Sequence, residues 1–199
     1  GSVMVLTGCY PGEVTSVQEL DLVTTLFDKD ANFTGYKTYA MPDTIIHICD
    51  AGSQEQNCPS DLTRTNDNLI LTQIEENLQG MGFTRSDPQD ADVLVVTSAN
   101  ATDMYGYTSY YWYWDYWYGY PPGYGWYYPP GTVTYQYTTG TLFITMFDPD
   151  KANENQQRLP AVWTALINGV IGSGGNTSSR LTTTINQAFD QSGYLGDGK

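Results

Sequence analysis

One stretch of the sequence is crowded with aromatic side chains. Between Tyr105 and Tyr128 lie eleven of the 17 tyrosines and four of the five tryptophans, and Asp115 is the only charged residue among them. Each such side chain buries about 150–250 Å², so the segment carries on the order of 2,000–3,500 Å² of aromatic surface. A monomer seldom exposes a contiguous apolar patch larger than roughly 300–600 Å². The sequence therefore predicts that this Tyr/Trp-rich segment is either covered by another surface or mobile and partly exposed.

Four surfaces could provide that cover. The body of the domain is one, if the aromatic residues extend neighbouring strands as a hairpin and pack on the sheet. The others are a partner protein or second copy, a glycan such as peptidoglycan, and the membrane–water interface. Because residues 110–118 are aromatic on both faces, we expect a covering surface in addition to the sheet. The predicted binding residues are Tyr110, Trp112, Trp114, Trp117, Tyr118 and Trp126.

Residue patterns for catalysis are weak by comparison. His47 is the only histidine and has no obvious serine or cysteine partner, which argues against a hydrolytic triad. Residues 172–175 are glycine-rich but lack the Lys-Ser/Thr of a phosphate-binding loop. Residues 148–150 resemble the start of a calcium loop, but Ala152 and Asn153 replace the residues that an EF-hand needs there, so a turn is predicted. We therefore expect a protein that is not an enzyme and has no cofactor.

The first nine residues indicate where in the cell the protein is located. Leu6-Thr7-Gly8-Cys9 resembles the bacterial lipobox, in which the cysteine is diacylated and becomes the new N-terminus. Residues 1–16 are accordingly interpreted as a signal-peptide remnant, lipobox and linker. No apolar run approaches 20 residues, so the lipid on Cys9 is the one predicted membrane contact. The expected location is the cell envelope, at the outer membrane.

Two further cysteines, Cys49 and Cys58, are separated by eight polar, turn-prone residues. An exported protein meets an oxidising compartment, so a disulfide is predicted, stabilising by about 2–3 kcal/mol. A metal site with His47 would lack a fourth soft ligand, and none is predicted. The formal net charge of −14 repels phosphate backbones and argues against a nucleic-acid partner.

Residue periodicity predicts one domain over residues 17–199. Apolar residues at helical spacing predict a helix over 61–81, capped by Thr65 or Asn66 and ended by Gly80 and Gly82, and a last helix from Ser178 or Ser179. Strands are predicted at 17–27, 36–41, 45–48, 91–97, 132–147 and 161–167. This order predicts an α+β two-layer sandwich: one mixed, mostly antiparallel sheet, both helices on one face, and an aromatic insertion at 101–131.

The same residues carry a family resemblance over roughly residues 17–192. The ordered motifs are Phe33-x-x-Tyr36-Lys37-Thr38-Tyr39-Ala40, Ile74-x-x-x-Leu78-x-x-Met81-Gly82-Phe83, Ala91-Asp92-Val93-Leu94-Val95, Gly140-Thr141-Leu142-Phe143-Ile144-x-x-Phe147-Asp148 and Val162-Trp163. The chain thereby resembles the bacterial lipoprotein family known as domain of unknown function 4136 (DUF4136). The resemblance implies an envelope lipoprotein with an aromatic, glycine-rich insertion, and it supplies no catalytic residues. The cysteine loop and the abundance of tyrosine in the insertion depart from the family pattern.

Together these features predict non-catalytic binding of an envelope protein or glycan through the Tyr/Trp-rich segment. The alternative is a structural or assembly lipoprotein that self-associates through the same segment. The two differ in oligomeric state, because only the second requires a stable oligomer.

Overall fold

A computed structural model of the chain describes residues 23–48, 64–100, 118, 125–127, 140–152, 158–170 and 177–196. Within these ranges the strands are β1 (Val23–Phe27), β2 (Thr38–Ala40), β3 (Ile46–Ile48), β4 (Thr84–Arg85), β5 (Val93–Asn100), β6 (Gly125–Tyr127), β7 (Thr141–Phe147) and β8 (Arg158–Ile167). The helices are α1 (Asp67–Gly80) and α2 (Thr177–Asp190), with short 3-10 turns between elements.

The described strands form one mixed sheet in the order β1-β8-β7-β5-β2-β4. The three longest ladders, β1–β8, β8–β7 and β7–β5, are antiparallel. Both β2 and β3 pair with β5 in parallel, one after the other along the same strand, and β4 pairs with β2 in parallel. The predicted α+β sandwich with a mixed sheet is confirmed.

Helix α1 forms where apolar residues recur at helical spacing. Ile70, Ile74 and Leu78 are buried, and they pack in the same cluster as Leu181 and Ile185 of α2. The helix ends where Gly82 takes a positive φ of 94°, which lets the Phe83 N–H reach back to the Leu78 carbonyl. Both helices therefore cover one face of the sheet, as the periodicity predicts.

The start of α1 differs in detail from its prediction. Residues Arg64–Asn66 form a 3-10 turn, and Asn66 stands at the N-cap without a side-chain cap hydrogen bond. Its side-chain oxygen instead accepts a hydrogen bond from Ser178 Oγ at 3.4 Å, which links the N-terminal ends of the two helices.

The sheet has two ends that matter for the site. One row of paired residues crosses it at Val23, Ile167, Leu142, Ala99 and His47, where β1 and β7 begin and β3, β5 and β8 end. We call this row the insertion end, because the 101–131 insertion follows β5 there. The opposite row, at Phe27, Trp163 and Met146, is the far end.

Candidate functional site

The face of the sheet opposite the helices is buried as well. Its residues alternate with the helix-facing ones along β5, β7 and β8, and cross-strand pairs such as Val96–Thr145 and Ser98–Phe143 lie on it. Residues packed together here are Ala40, Ile46, Ala91, Leu94, Val96, Phe147, Leu159 and Ala161. We call this the second face. A two-layer sandwich with both helices on the other side would leave the second face exposed, so its burial requires an additional cover.

Tyr118 of the Tyr/Trp-rich segment packs against the second face. Its hydroxyl donates to the Val95 carbonyl oxygen at 2.9 Å and also lies 3.4 Å from the Ala40 carbonyl oxygen. Of the binding residues predicted from sequence, Tyr118 is the one whose side chain the structure describes. Its ring lies on the sheet and its hydroxyl points to the backbone.

The backbone around Tyr118's contact explains why a hydroxyl fits there. Strand β2 pairs with β5 as far as Ala40–Leu94, and β3 resumes pairing at Ile46–Ser98. The chain leaves β5 at Pro42, which has no N–H to continue a ladder. Val95 lies in this gap between β2 and β3, and the Tyr118 hydroxyl is a donor at the position where a strand N–H is missing.

A second part of the same segment joins the sheet at the far end. Strand β6 pairs in parallel with the beginning of β8, with Trp126 opposite Leu159. The described parts of the Tyr/Trp-rich segment thus contact the sheet at two places, at Tyr118 on the second face and at β6 at the far end. Of the four predicted covers, packing on the body of the domain is therefore seen for these described parts of the segment.

The remaining predicted site residues lie outside the described ranges. They are Cys9, Cys49, Cys58, Tyr110, Trp112, Trp114 and Trp117. The predictions of lipidation, of a disulfide and of ligand contacts at those positions stay predictions.

His47, the histidine weighed above as a metal ligand, contacts a carboxylate. Its Nε2 lies 3.1 Å from both carboxylate oxygens of Asp67, and Arg64 Nη1 lies 3.2 Å from Asp67 Oδ2. Asp67 is the first residue of α1, where a negative charge is favoured by the helix dipole. His47 thereby ties β3 to the N-terminus of α1. No group of three or more His, Cys, Asp or Glu residues suited to a metal occurs in the described part of the chain.

The Asp148-Pro149-Asp150 sequence forms the turn that was predicted. Asp148 is buried; its Oδ1 accepts from the Asp150 N–H at 3.0 Å and its Oδ2 from the Tyr36 hydroxyl at 2.6 Å. Burial, and then the hydrogen bond to Asp148 and the nearby carboxylates, hold the pKa of Tyr36 well above its usual value. Both carboxylate oxygens are thus used to hold protein groups, in place of the cation that the spacing of the two aspartates suggested.

Two polar clusters fix β2 in its place. Asp92 Oδ2 accepts from the N–H groups of Lys37 and Thr38 and from Thr38 Oγ1, each at 2.8 Å. Further along the strand, the Tyr39 hydroxyl donates to Glu75 Oε1 of α1 at 3.2 Å. Burial, followed by the charge and hydrogen bond of Glu75, raises the pKa of Tyr39 to about 12. These contacts hold β2 against β5 and so define one side of the gap that Tyr118 occupies.

Residues 23–193 match the family described as "Domain of unknown function (DUF4136)". The chain belongs to the DUF4136 family. The crystal structure of a DUF4136 family protein from Bacteroides thetaiotaomicron is similar to it, with 32% sequence identity and a TM-score of 0.66. That match covers 88% of this chain and 97% of the other. Membership confirms the motif-based resemblance, and the family has no assigned function.

More distant structures share less with this DUF4136 protein. A PelC dodecamer from Paraburkholderia phytofirmans is 12% identical, with a TM-score of 0.41 over 89% of this chain and 99% of the other. A PDZ domain protein from Parabacteroides distasonis is 13% identical, with a TM-score of 0.47 over 90% of this chain and 37% of the other. No curated protein matches the chain. None of the helices in the described ranges is long and apolar enough to cross a membrane.

Proposed function

We propose that this DUF4136 protein is an exported lipoprotein of the cell envelope that binds an envelope protein or glycan through its Tyr/Trp-rich segment and catalyses no reaction. The observation that carries the proposal is the attachment of this segment to the rigid sheet at both Tyr118 and β6. A segment held at two points on a sheet presents its other aromatic residues from a fixed base, which lowers the entropy lost when a ligand binds.

The areas involved favour a ligand in addition to the sheet. The second face is about four strands wide and seven residues long, which is roughly 19 Å by 23 Å, or about 440 Å². The segment carries on the order of 2,000–3,500 Å² of aromatic surface. The second face is several-fold too small to cover it. The remainder is available for packing of the aromatic residues on one another and for contact with a ligand.

The position of the N-terminus supports a partner in the envelope. Strand β1 begins at the insertion end, and thirteen residues separate Val23 from Cys9. A chain of that length spans at most about 45 Å. A lipid on Cys9 would therefore keep the insertion end, from which the Tyr/Trp-rich segment starts, within about 45 Å of the membrane surface.

The test is binding by a variant that carries Trp112→Ala, Trp114→Ala and Trp117→Ala together. Co-sedimentation with purified peptidoglycan sacculi tests the glycan, and pull-down from solubilised envelopes tests the protein. Phe27→Ala is the control, because Phe27 is a 44% exposed aromatic residue at the far end of the sheet. Loss of capture in the tryptophan variant alone supports the proposal, and equal capture by all three proteins contradicts it.

Light scattering distinguishes self-association through the same segment from binding of an envelope protein or glycan. A monomeric wild-type protein that still captures sacculi or an envelope protein supports the binding role. A stable oligomer that the three tryptophan substitutions dissociate, with no capture of either probe, would favour the assembly role instead.

A further inference from the structure

The gap between β2 and β3 along β5 accommodates one hydroxyl donor. On one side, the Asp92–Thr38 hydrogen bonds fix where β2 begins, and Pro42 removes the N–H that could prolong it. On the other side, β3 is fixed by His47, whose ring contacts Asp67 of α1. The carbonyl oxygens of Ala40 and Val95 border the gap, and both lie within reach of the Tyr118 hydroxyl.

We infer that Tyr118 is a positioning residue, and that its hydroxyl in the β2–β3 gap fixes the Tyr/Trp-rich segment on the second face. The inference rests on the proposed function, because it assigns how the binding segment is held. It also separates Tyr118 from the other predicted binding residues: its hydroxyl bonds the protein's own backbone, so its contribution to a ligand is indirect.

The chemistry of the contact makes it specific to tyrosine. Tyr118 packs against the apolar cluster that contains Leu94, Val96 and Phe147, and its hydroxyl donates to a backbone carbonyl oxygen. Tyr118→Phe keeps the ring and removes the donor, which leaves a buried carbonyl without this hydrogen bond. The loss is expected to raise local opening of the sheet at this point about tenfold.

Two other tyrosines provide matched controls. Tyr36 also donates its hydroxyl to a protein acceptor, Asp148 Oδ2, but next to the turn that follows β7. The Tyr194 hydroxyl is buried and has no hydrogen-bond partner within the described structure. Tyr36→Phe therefore removes an equivalent hydrogen bond elsewhere, and Tyr194→Phe removes a hydroxyl that makes none.

Hydrogen–deuterium exchange measured by mass spectrometry on the full chain tests the inference without a ligand. For Tyr118→Phe, we expect about tenfold faster exchange in peptides covering residues 38–48 and 93–100, with peptides from α1 and α2 unchanged. In Tyr36→Phe, exchange of the 93–100 peptides, compared with that of the α1 peptides, should be the same as in the wild type. Tyr194→Phe should change exchange neither in the 38–48 peptides nor in the 93–100 peptides. A merely structural loss of stability would instead accelerate all slowly exchanging peptides together.

Two outcomes would overturn the inference: unchanged exchange at 93–100 in Tyr118→Phe, or acceleration spread equally over the sheet and both helices. Neither depends on capture of sacculi or envelope proteins. Failure of the positioning role is therefore distinguishable from failure of the proposed binding function.

Discussion

Replacing Asp92 with asparagine tests how β2 is held beside β5. Oδ2 of Asp92 accepts three hydrogen bonds of 2.8 Å, from the Lys37 N–H, the Thr38 N–H and Thr38 Oγ1. The Asp92 N–H in turn donates to Thr38 Oγ1 at 3.0 Å. Asp92 directly precedes β5 and Thr38 opens β2, so this one side chain sets where the parallel pair begins.

The expected loss of stability follows from the strength of these bonds. Hydrogen bonds to a charged group contribute about 1.5–3 kcal/mol each when they are buried. Lys37 is exposed and Asp92 is only partly buried, so water competes for the same groups and reduces their contribution. An asparagine side chain at this position would retain a neutral acceptor but no charge. We therefore expect Asp92→Asn to lower the free energy of unfolding by about 1–2 kcal/mol at pH 7.

The effect of Asp92→Asn should depend on pH in a defined direction. Burial alone would raise the pKa of Asp92, but the hydrogen bonds from Lys37 and Thr38 outweigh it and hold the pKa below its usual value. A carboxyl group with a lowered folded-state pKa stabilises the fold above its unfolded pKa of about 3.9, and this stabilisation is lost as the pH falls through the folded-state pKa. The difference in the free energy of unfolding between wild type and variant should therefore be largest at pH 7 and should decrease below about pH 4.

Urea unfolding followed by circular dichroism, at pH 7 and at pH 3, measures this difference. Asp87→Asn is the matched control, because Asp87 is an exposed carboxylate whose side chain caps no backbone group. The control should change stability by less than about 0.5 kcal/mol. An Asp92→Asn variant as stable as the control at pH 7, or equally destabilised at pH 7 and pH 3, would refute the role given to Asp92.

Two further predictions concern the end of α1 and the N-terminus. Gly82→Ala should cost about 1 kcal/mol in urea unfolding, since the positive φ of 94° strains any other residue although space is open around it. Gly80→Ala, two residues earlier and also in open space, should stabilise by about 0.5–1 kcal/mol, and a loss of stability there would contradict this account of the helix end. Cys9→Ala in the exported protein should move it from the membrane to the soluble fraction on cell fractionation, and continued membrane association would reject the lipid anchor.

The sequence pattern predicted those elements that their own residues define, without reference to partners elsewhere in the chain. Helix α1 follows from the spacing of Ile70, Ile74 and Leu78, and the burial of β5 on both faces follows from its unbroken apolar run. Strands β4 and β6 have two and three residues, too few to show a period, and they exist because of partners elsewhere in the chain.

The sequence predicted which segment forms the candidate site, but it did not predict the contact that Tyr118 makes with the sheet. Composition alone singles out residues 105–128, but nothing distinguishes Tyr118 from ten other tyrosines of that segment. Its partners Val95 and Ala40 lie 23 and 78 residues away in sequence, and the gap between them depends on where two parallel strands stop and start. The Asp92–Thr38 contact spans 54 residues and escaped prediction for the same reason.

A quantitative capture experiment tests whether the Tyr/Trp-rich segment binds an envelope protein or glycan. Wild type, the Trp112→Ala, Trp114→Ala, Trp117→Ala variant and Phe27→Ala are titrated against purified sacculi and against solubilised envelope proteins, after circular dichroism has shown equal folding. We expect saturable capture of at least one probe by wild type and Phe27→Ala. Capture should weaken about 100-fold or more in the tryptophan variant, since hot-spot aromatic residues contribute roughly 2–4 kcal/mol each. Equal affinity of all three proteins for both probes, or no capture by the wild type, would contradict the binding role.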